Sequence, residues 1–365
     1  CWETMIEGRS DQELIRGFNF LLFTELALDR GNSLVHGRMG PDTGDPREFA
    51  TFDDLMSAWK EQTDNQLRQG IDLIGEGVEN GTLEHSNHGK YAYNPFLSTL
   101  TLDCIANEED VIRGGARYTI WHVMGEGVSN AVDSMAAIKK MVYDDESVSM
   151  DELLDALEND WEGSENLRRR LVARAPKFAN DDESADMIGR EMMDYFVERS
   201  KHHAARHPSV IYPGSVGTFS WYAMIGREVG ATPDGRHIGE PIAANFSPAP
   251  GTDVSGPTAA INSYLKMPVG PLAAGAPLDL RLSASGLTGD PGTQRLSGLI
   301  TAFVVGGGNM LTLTVTDVEE LKRAMEDPEN YRHLRVRMGG WSAYFVMLSK
   351  EQQLLHIRRV EHGLI

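Results

Sequence analysis

The chain has 365 residues, 41% of them hydrophobic, enough for one large barrel or for two to three domains with a buried core. Its net charge of −20, with no Lys/Arg-rich stripe, excludes nucleic-acid binding, which needs a positive surface to displace counterions from phosphate. Cys1 and Cys104 are too few and too far apart for a disulfide framework or a four-ligand metal site; with no signal peptide and no bilayer-length apolar run, a cytoplasmic protein is expected.

The first residue is Cys rather than Met, so the natural N-terminus is expected upstream. Leu14, Ile15, Phe18, Leu21, Leu22, Leu26 and Ala27 recur at helical spacing, which predicts one buried helix over 11–30 stopped by Gly31. Thr43-Gly44-Asp45-Pro46 reads as a turn, and a second amphipathic helix is predicted from about Thr51 to Ile74, followed by a polar loop over 80–90. Pro95–Leu100 and Ile120–Met124 are short apolar runs bracketed by loops, and 130–143 is helical, so strands and helices alternate as in an α/β architecture. Residues 144–180 are charged and helical, with Asp151-Glu152 in a first turn and Arg168-Arg169-Arg170 in a later one, and read as an outer layer. Beyond Val210, Pro and Gly dominate. Leu299–Val305 and Met310–Val315 read as paired strands joined by Gly306-Gly307-Gly308-Asn309, and short helices are predicted over 318–325 and 350–361.

Between those last helices lies Arg337-Met338-Gly339-Gly340-Trp341-Ser342-Ala343-Tyr344-Phe345. Alone, Gly339-Gly340 reads as a tight turn. A glycine Cα–H between two amides is also the backbone position whose radical can flatten without a side chain opposing it. The residues around Gly340 resemble the Arg-Val-x-Gly-Tyr-Ser-Ala signature of the glycyl radical enzymes, the pyruvate formate-lyase superfamily, with Met338 and Trp341 replacing valine and tyrosine. Six further segments occur in that family's order: 43–46, 95–98, 114–118, 133–138, 175–178 and 231–236.

The resemblance implies an α/β fold, the second half of a ten-stranded barrel built from two antiparallel five-stranded halves, with a C-terminal glycyl radical domain. It divides the chain into barrel residues 1–229 and radical-domain residues 230–365. It implies that Gly340 stores a radical and that Cys1 forms the thiyl radical that attacks substrate; Cys104, in an apolar run, reads as an inert buried thiol. No bound cofactor or metal is expected. The resemblance implies an S-adenosylmethionine and iron–sulfur activase that abstracts the Gly340 hydrogen, a small organic substrate, and a homodimer when full length. To meet the activase, the glycine loop must swing out.

Cys1-Trp2-Glu3 resembles the Cys-x-Glu branch of dehydratases, choline-type lyases and arylacetate decarboxylases, in which the glutamate, here Glu3, moves a proton. Polyol dehydratases carry an Asp before the Phe-Asn pair, whereas Leu14-Ile15-Arg16-Gly17 has none. This turns the reading toward decarboxylation of an aryl- or alkyl-acetate, ahead of dehydration or another C–O, C–N or C–S elimination, addition to fumarate, formate C-acyl transfer, or a non-catalytic spare-part subunit. Trp121 and His122 are candidates for an aromatic wall and polar tip of the pocket, with a satisfied core histidine the first reading of His122. His36 is similarly open, and Tyr212, Ser215 and Thr218 fall where the family lines its barrel.

Overall fold

A computed structural model describes residues 4–11, 14–82, 93–338 and 341–358. Strand β1 (Leu14–Asn19) runs directly into helix α1 (Phe20–Leu28), so the single helix expected over 11–30 is corrected to a strand and a helix. Asn19 causes the break: its Oδ1 accepts from the amides of Leu21 and Leu22 and caps α1, releasing the preceding residues to pair as a strand. A small hairpin of β2 (Asn32–Ser33) and β3 (Gly37–Arg38) follows. The expected second helix is α2 (Phe52–Glu79), opened by a reciprocal capping box between Thr51 and Asp54.

The run Pro95–Leu100 is a helix, α3 (Pro95–Leu100), rather than a strand; Asn94 caps it, with Pro95 in the first turn, where a missing N–H costs nothing. Strand β4 (Thr119–Glu126) enters α4 (Val128–Ile138) through Gly127 at φ +63°, and a π-helical turn over Lys139–Asp144 extends it. The outer layer comprises α5 (Met150–Glu158), α6 (Glu165–Arg174) and α7 (Glu183–Ala204). Helices α2 and α7 are fastened side by side: Asp64 accepts from Arg199 (2.5 Å) and His203 (2.7 Å), while Asp72 faces His207 (3.0 Å) and Arg206 (2.6 Å).

Then come β5 (Val210–Ile211), β6 (Gly214–Val216), α8 (Tyr222–Gly226), α9 (Pro257–Leu265), β7 (Pro277–Leu282), α10 (Gly289–Val305) and β8 (Met310–Val315). The expected hairpin of 299–305 with 310–315 is corrected: the first segment is the end of α10, and β8 pairs in parallel with β7. Leu299 and Phe303, four residues apart, face the core, while Ile300, Val304 and Val305 are exposed.

All pairings among β1, β4, β5, β6, β7 and β8 are parallel, and helices cover them, which is the α/β class. One apolar core runs from Phe18 through Trp59, Phe196 and Tyr264 to Phe303. The chain ends with α11 (Val318–Glu326), an antiparallel hairpin of β9 (Arg335–Arg337) and β10 (Ser342–Tyr344), and α12 (Lys350–Arg358). These last elements carry a second small core of Leu321, Ala324, Leu334, Val336, Met338, Ala343 and Phe345.

Candidate active site

Successive side chains of a strand point to opposite faces, so β4 divides its residues in two. Trp121 packs with Ile74, Val210 and Tyr212 on the face toward α2, and Val123 joins the main core. Ile120, His122, Met124 and Glu126 therefore share the other face, called here the inner face. In register beside them lie Ile15, Gly17 and Asn19 of β1 and Ser215 of β6.

Of the pocket candidates, His122 and Ser215 come together on the inner face. His122 is buried, its Nε2 lying 3.4 Å from the carbonyl oxygen of Thr4, three residues after Cys1; the Thr4 hydroxyl in turn donates to Ala273 O at 2.7 Å. The Ser215 hydroxyl is buried without a hydrogen-bond partner among the described residues. Trp121 and Tyr212 are not brought to that face: alternation turns Trp121 toward α2, and the Tyr212 hydroxyl donates to Ile71 O at 3.3 Å. Burial raises that phenol above its usual range. His36 lies exposed in the turn between β2 and β3, where its amide donates to Ser33 Oγ. Cys1, Glu3 and Gly340 lie outside the described residues.

Thr218 is a loop clamp. Its amide donates to Asn245 Oδ1 (3.1 Å) and its hydroxyl accepts from the Asn245 amide (2.8 Å). Asn245 Nδ2 then donates to Asp279 on β7 at 2.7 Å, and the Thr312 hydroxyl on β8 donates to the other Asp279 oxygen. This chain ties the end of β6 to the β7–β8 pair, and neither Asn245 nor Asp279 carries a motif that singles it out.

The sequence reading also missed Glu126, because the apolar run was closed at Met124; its place four residues after His122 was the available signal for a shared face. Its carboxyl is pushed up to about 8, first by burial and then by Glu228, with Arg16 opposing. Cys104 is buried, and loss of hydration raises its thiol, as an inert cysteine requires.

The glycine pair is presented by β9 and β10. Ser342 pairs with Arg337 and Ala343 with Val336, and the Met338 amide donates to Trp341 O at 2.8 Å, closing the hairpin around positions 339–340. Met338 is anchored from behind by His356, whose Nε2 lies 3.0 Å from its sulfur and whose ring meets Phe345 edge-on. A cavity of about 270 Å³ lined by Glu25, Leu28, Leu157 and Thr232 lies among the helices, apart from the inner face. No group of three or more His, Cys, Asp or Glu among the described residues could hold a metal ion, and no described helix is long and apolar enough to cross a membrane.

Comparison with known proteins gives two family matches, "Pyruvate formate lyase-like" over residues 1–226 and "Glycine radical" over 242–346. The chain is 32% identical to the trans-4-hydroxy-L-proline dehydratase of Clostridioides difficile, an alignment covering 99% of this chain and 45% of the relative. It superposes on a glycerol-bound B12-independent glycerol dehydratase from Clostridium butyricum with TM-score 0.83 and 33% identity, over 95% of this chain and 43% of that one. An indoleacetate decarboxylase of Tractidigestivibacter scatoligenes is 29% identical over 71% of this chain and 32% of its own length. The chain thus spans less than half the length of each of these proteins.

Proposed function

Because the chain belongs to the pyruvate formate lyase-like family of glycyl radical enzymes, we propose that it is the part of such an enzyme that carries both radical residues and eliminates water from a small hydroxylated substrate. Gly340 stores the radical, Cys1 becomes the thiyl radical that takes hydrogen from carbon, and Glu3 moves the accompanying proton. The division of labour assigns the thiol to residues 1–229 and the glycine to 230–365, although one apolar core crosses that boundary. A radical S-adenosylmethionine activase and a homodimeric assembly belong to the same proposal.

The observation that carries dehydration over decarboxylation is the chemistry of the inner face. Trp121 and Tyr212, the aromatics that would have lined a pocket for an arylacetate, pack toward α2, leaving His122, Ser215 and Glu126, which suit hydroxyl groups. The hydroxyproline and glycerol dehydratases support the same reading, each aligning with nearly the whole of this chain. Arylacetate decarboxylation keeps two supporting observations, the stretch Leu14–Gly17 without an acid and the more distant likeness to the indoleacetate decarboxylase.

The test uses the full-length chain activated anaerobically. Gly340→Ala should abolish the electron paramagnetic resonance doublet of the activated protein; a doublet that survives removes the radical assignment. Activated enzyme given 1,2-propanediol, glycerol or trans-4-hydroxy-L-proline should release a dehydrated product, whereas carbon dioxide from indole-3-acetate with no dehydration would decide for the decarboxylase.

A further inference from the structure

We propose that Glu126 is a further catalytic residue, a general acid that contacts the hydroxyl group leaving the substrate and supplies the proton with which it departs as water. The inference rests on the dehydratase reading and adds to it a residue on β4.

Gly17 of β1 has no side chain, and Glu126 fills the space: a β-carbon built on Gly17 would stand 2.3 Å from Glu126 Oε1 and 2.6 Å from its Cδ. The carboxyl group thus leans across from β4 over the middle of β1, on the face that His122 shares with Thr4. The stretch of β1 that lacks an acid of its own is covered by an acid from the neighbouring strand.

Glu126 is half-buried and makes no hydrogen bond or ion pair among the described residues; the charges that act on it are those of Glu228 and Arg16. Buried acids with structural work in this protein look different. Asp11 accepts from the Ile120 amide, Glu25 from the amides of Leu34 and Gly230, Asp133 from the Phe178 amide, and Asp186 from Ser263 and Lys266. A buried polar group without a partner is costly, and such groups concentrate where a ligand completes them. Two such groups share the face with Glu126: the Ser215 hydroxyl and Asn19 Nδ2 are buried without partners among the described residues. Ser215 is paired with Met124, and Asn19 is paired with Glu126 itself, so these positions fall within two residues of one another along the sheet, a span of roughly 7 Å.

The carboxyl also carries its proton when the reaction needs it. Burial and the nearby Glu228 push it up to about 8, against the smaller opposing effect of Arg16, so at neutral pH it is mainly an O–H donor. The step balances without an external oxidant or reductant. After the Cys1 thiyl has taken hydrogen from a carbon bearing an O–H or N–H group, the C–O bond on the neighbouring carbon breaks and its electron pair leaves with oxygen. The Glu126 proton joins that oxygen to form water, while the O–H or N–H proton on the radical carbon passes to Glu3, leaving a carbonyl or an imine beside a carbon radical. That radical recovers hydrogen from the Cys1 thiol, and the proton held by Glu3 returns through water to Glu126.

The test uses activated full-length enzyme with 1,2-propanediol, glycerol and trans-4-hydroxy-L-proline as probes. Glu126→Gln should retain the glycyl doublet and lower kcat about 100-fold with KM little changed. Solvent deuterium should still enter recovered substrate, because exchange at the thiol precedes C–O cleavage. The alkaline decline of the wild-type rate near pH 8 should vanish from what activity remains. Gly17→Ala is the independent arm: the three atoms nearest its methyl group all belong to the carboxyl end of Glu126, so thermal stability should hold while turnover falls. Glu126→Gln turning over within threefold of wild type, or losing deuterium entry together with product, overturns the acid role and leaves the dehydratase reading standing. Absence of dehydration from all three probes by the wild-type enzyme overturns both.

Discussion

Asp133 on α4 shows how a buried acid couples this fold to pH. Its Oδ1 accepts from the Phe178 amide at 2.7 Å, and burial pushes the carboxyl up to about 7 against the opposing pull of Lys177. A carboxyl raised in the folded state binds its proton more tightly there than in the unfolded chain. Its contribution to stability is therefore complete below about pH 4 and is lost as pH rises toward about 7, at up to about 1.4 kcal/mol per pH unit. Asp133→Asn keeps an acceptor for the Phe178 amide and removes the titration. Its denaturant midpoint should fall less than that of the unsubstituted protein between pH 4.5 and 7, and parallel profiles would remove this account.

Among the elements, α2 gives the simplest measurement. The Thr51–Asp54 capping box satisfies two amides at its start, so Thr51→Ala should cost about 1 kcal/mol in urea unfolding with an unchanged slope. A change below a few tenths would mean that tertiary packing alone holds the end. This helix was legible in the sequence because its capping residues and its apolar period agree. So were α11, with its Asp317 cap, and the glycine hairpin, whose signature is local. Elements failed to show where a long-range partner decides the outcome. Leu14–Phe18 has helix-compatible spacing but forms β1 because β4 lies beside it, and Leu299–Val305 has β-branched texture but closes α10. The site was legible in the same proportion. Motifs point to Gly340, Cys1 and Glu3, which lie outside the described residues, whereas whether Trp121 or His122 faces inward depends on the pairing of three strands.

On the scale of the whole molecule, an apolar patch stands out on the surface. Tyr93, Phe96, Leu100, Leu102 and Ile105 are all exposed, Phe96 by 77% and Ile105 by 71%, and the Leu102 amide bonds to Gly8 O, so the patch borders the segment that follows the cysteine. Surfaces of this kind promote association. The 365-residue chain produced alone should therefore exceed its monomer mass of 40.3 kDa in light scattering, and Phe96→Ser combined with Ile105→Ser should lower that mass. A monodisperse monomer before substitution would refute the argument. The division of the interior into two cores has a different consequence. The hairpin bearing the glycine rests on seven side chains of its own, and its neighbours reach the main body through limited links such as Leu355 and the Arg227–Glu351 pair at 3.1 Å. A displacement carrying α11, β9, β10 and α12 together would keep the small core whole and draw Leu355 out of the main one. On the proposal that an activase acts on Gly340, the energy of offering the glycine is that of parting the seam between the two cores, and its return requires no refolding of the small core.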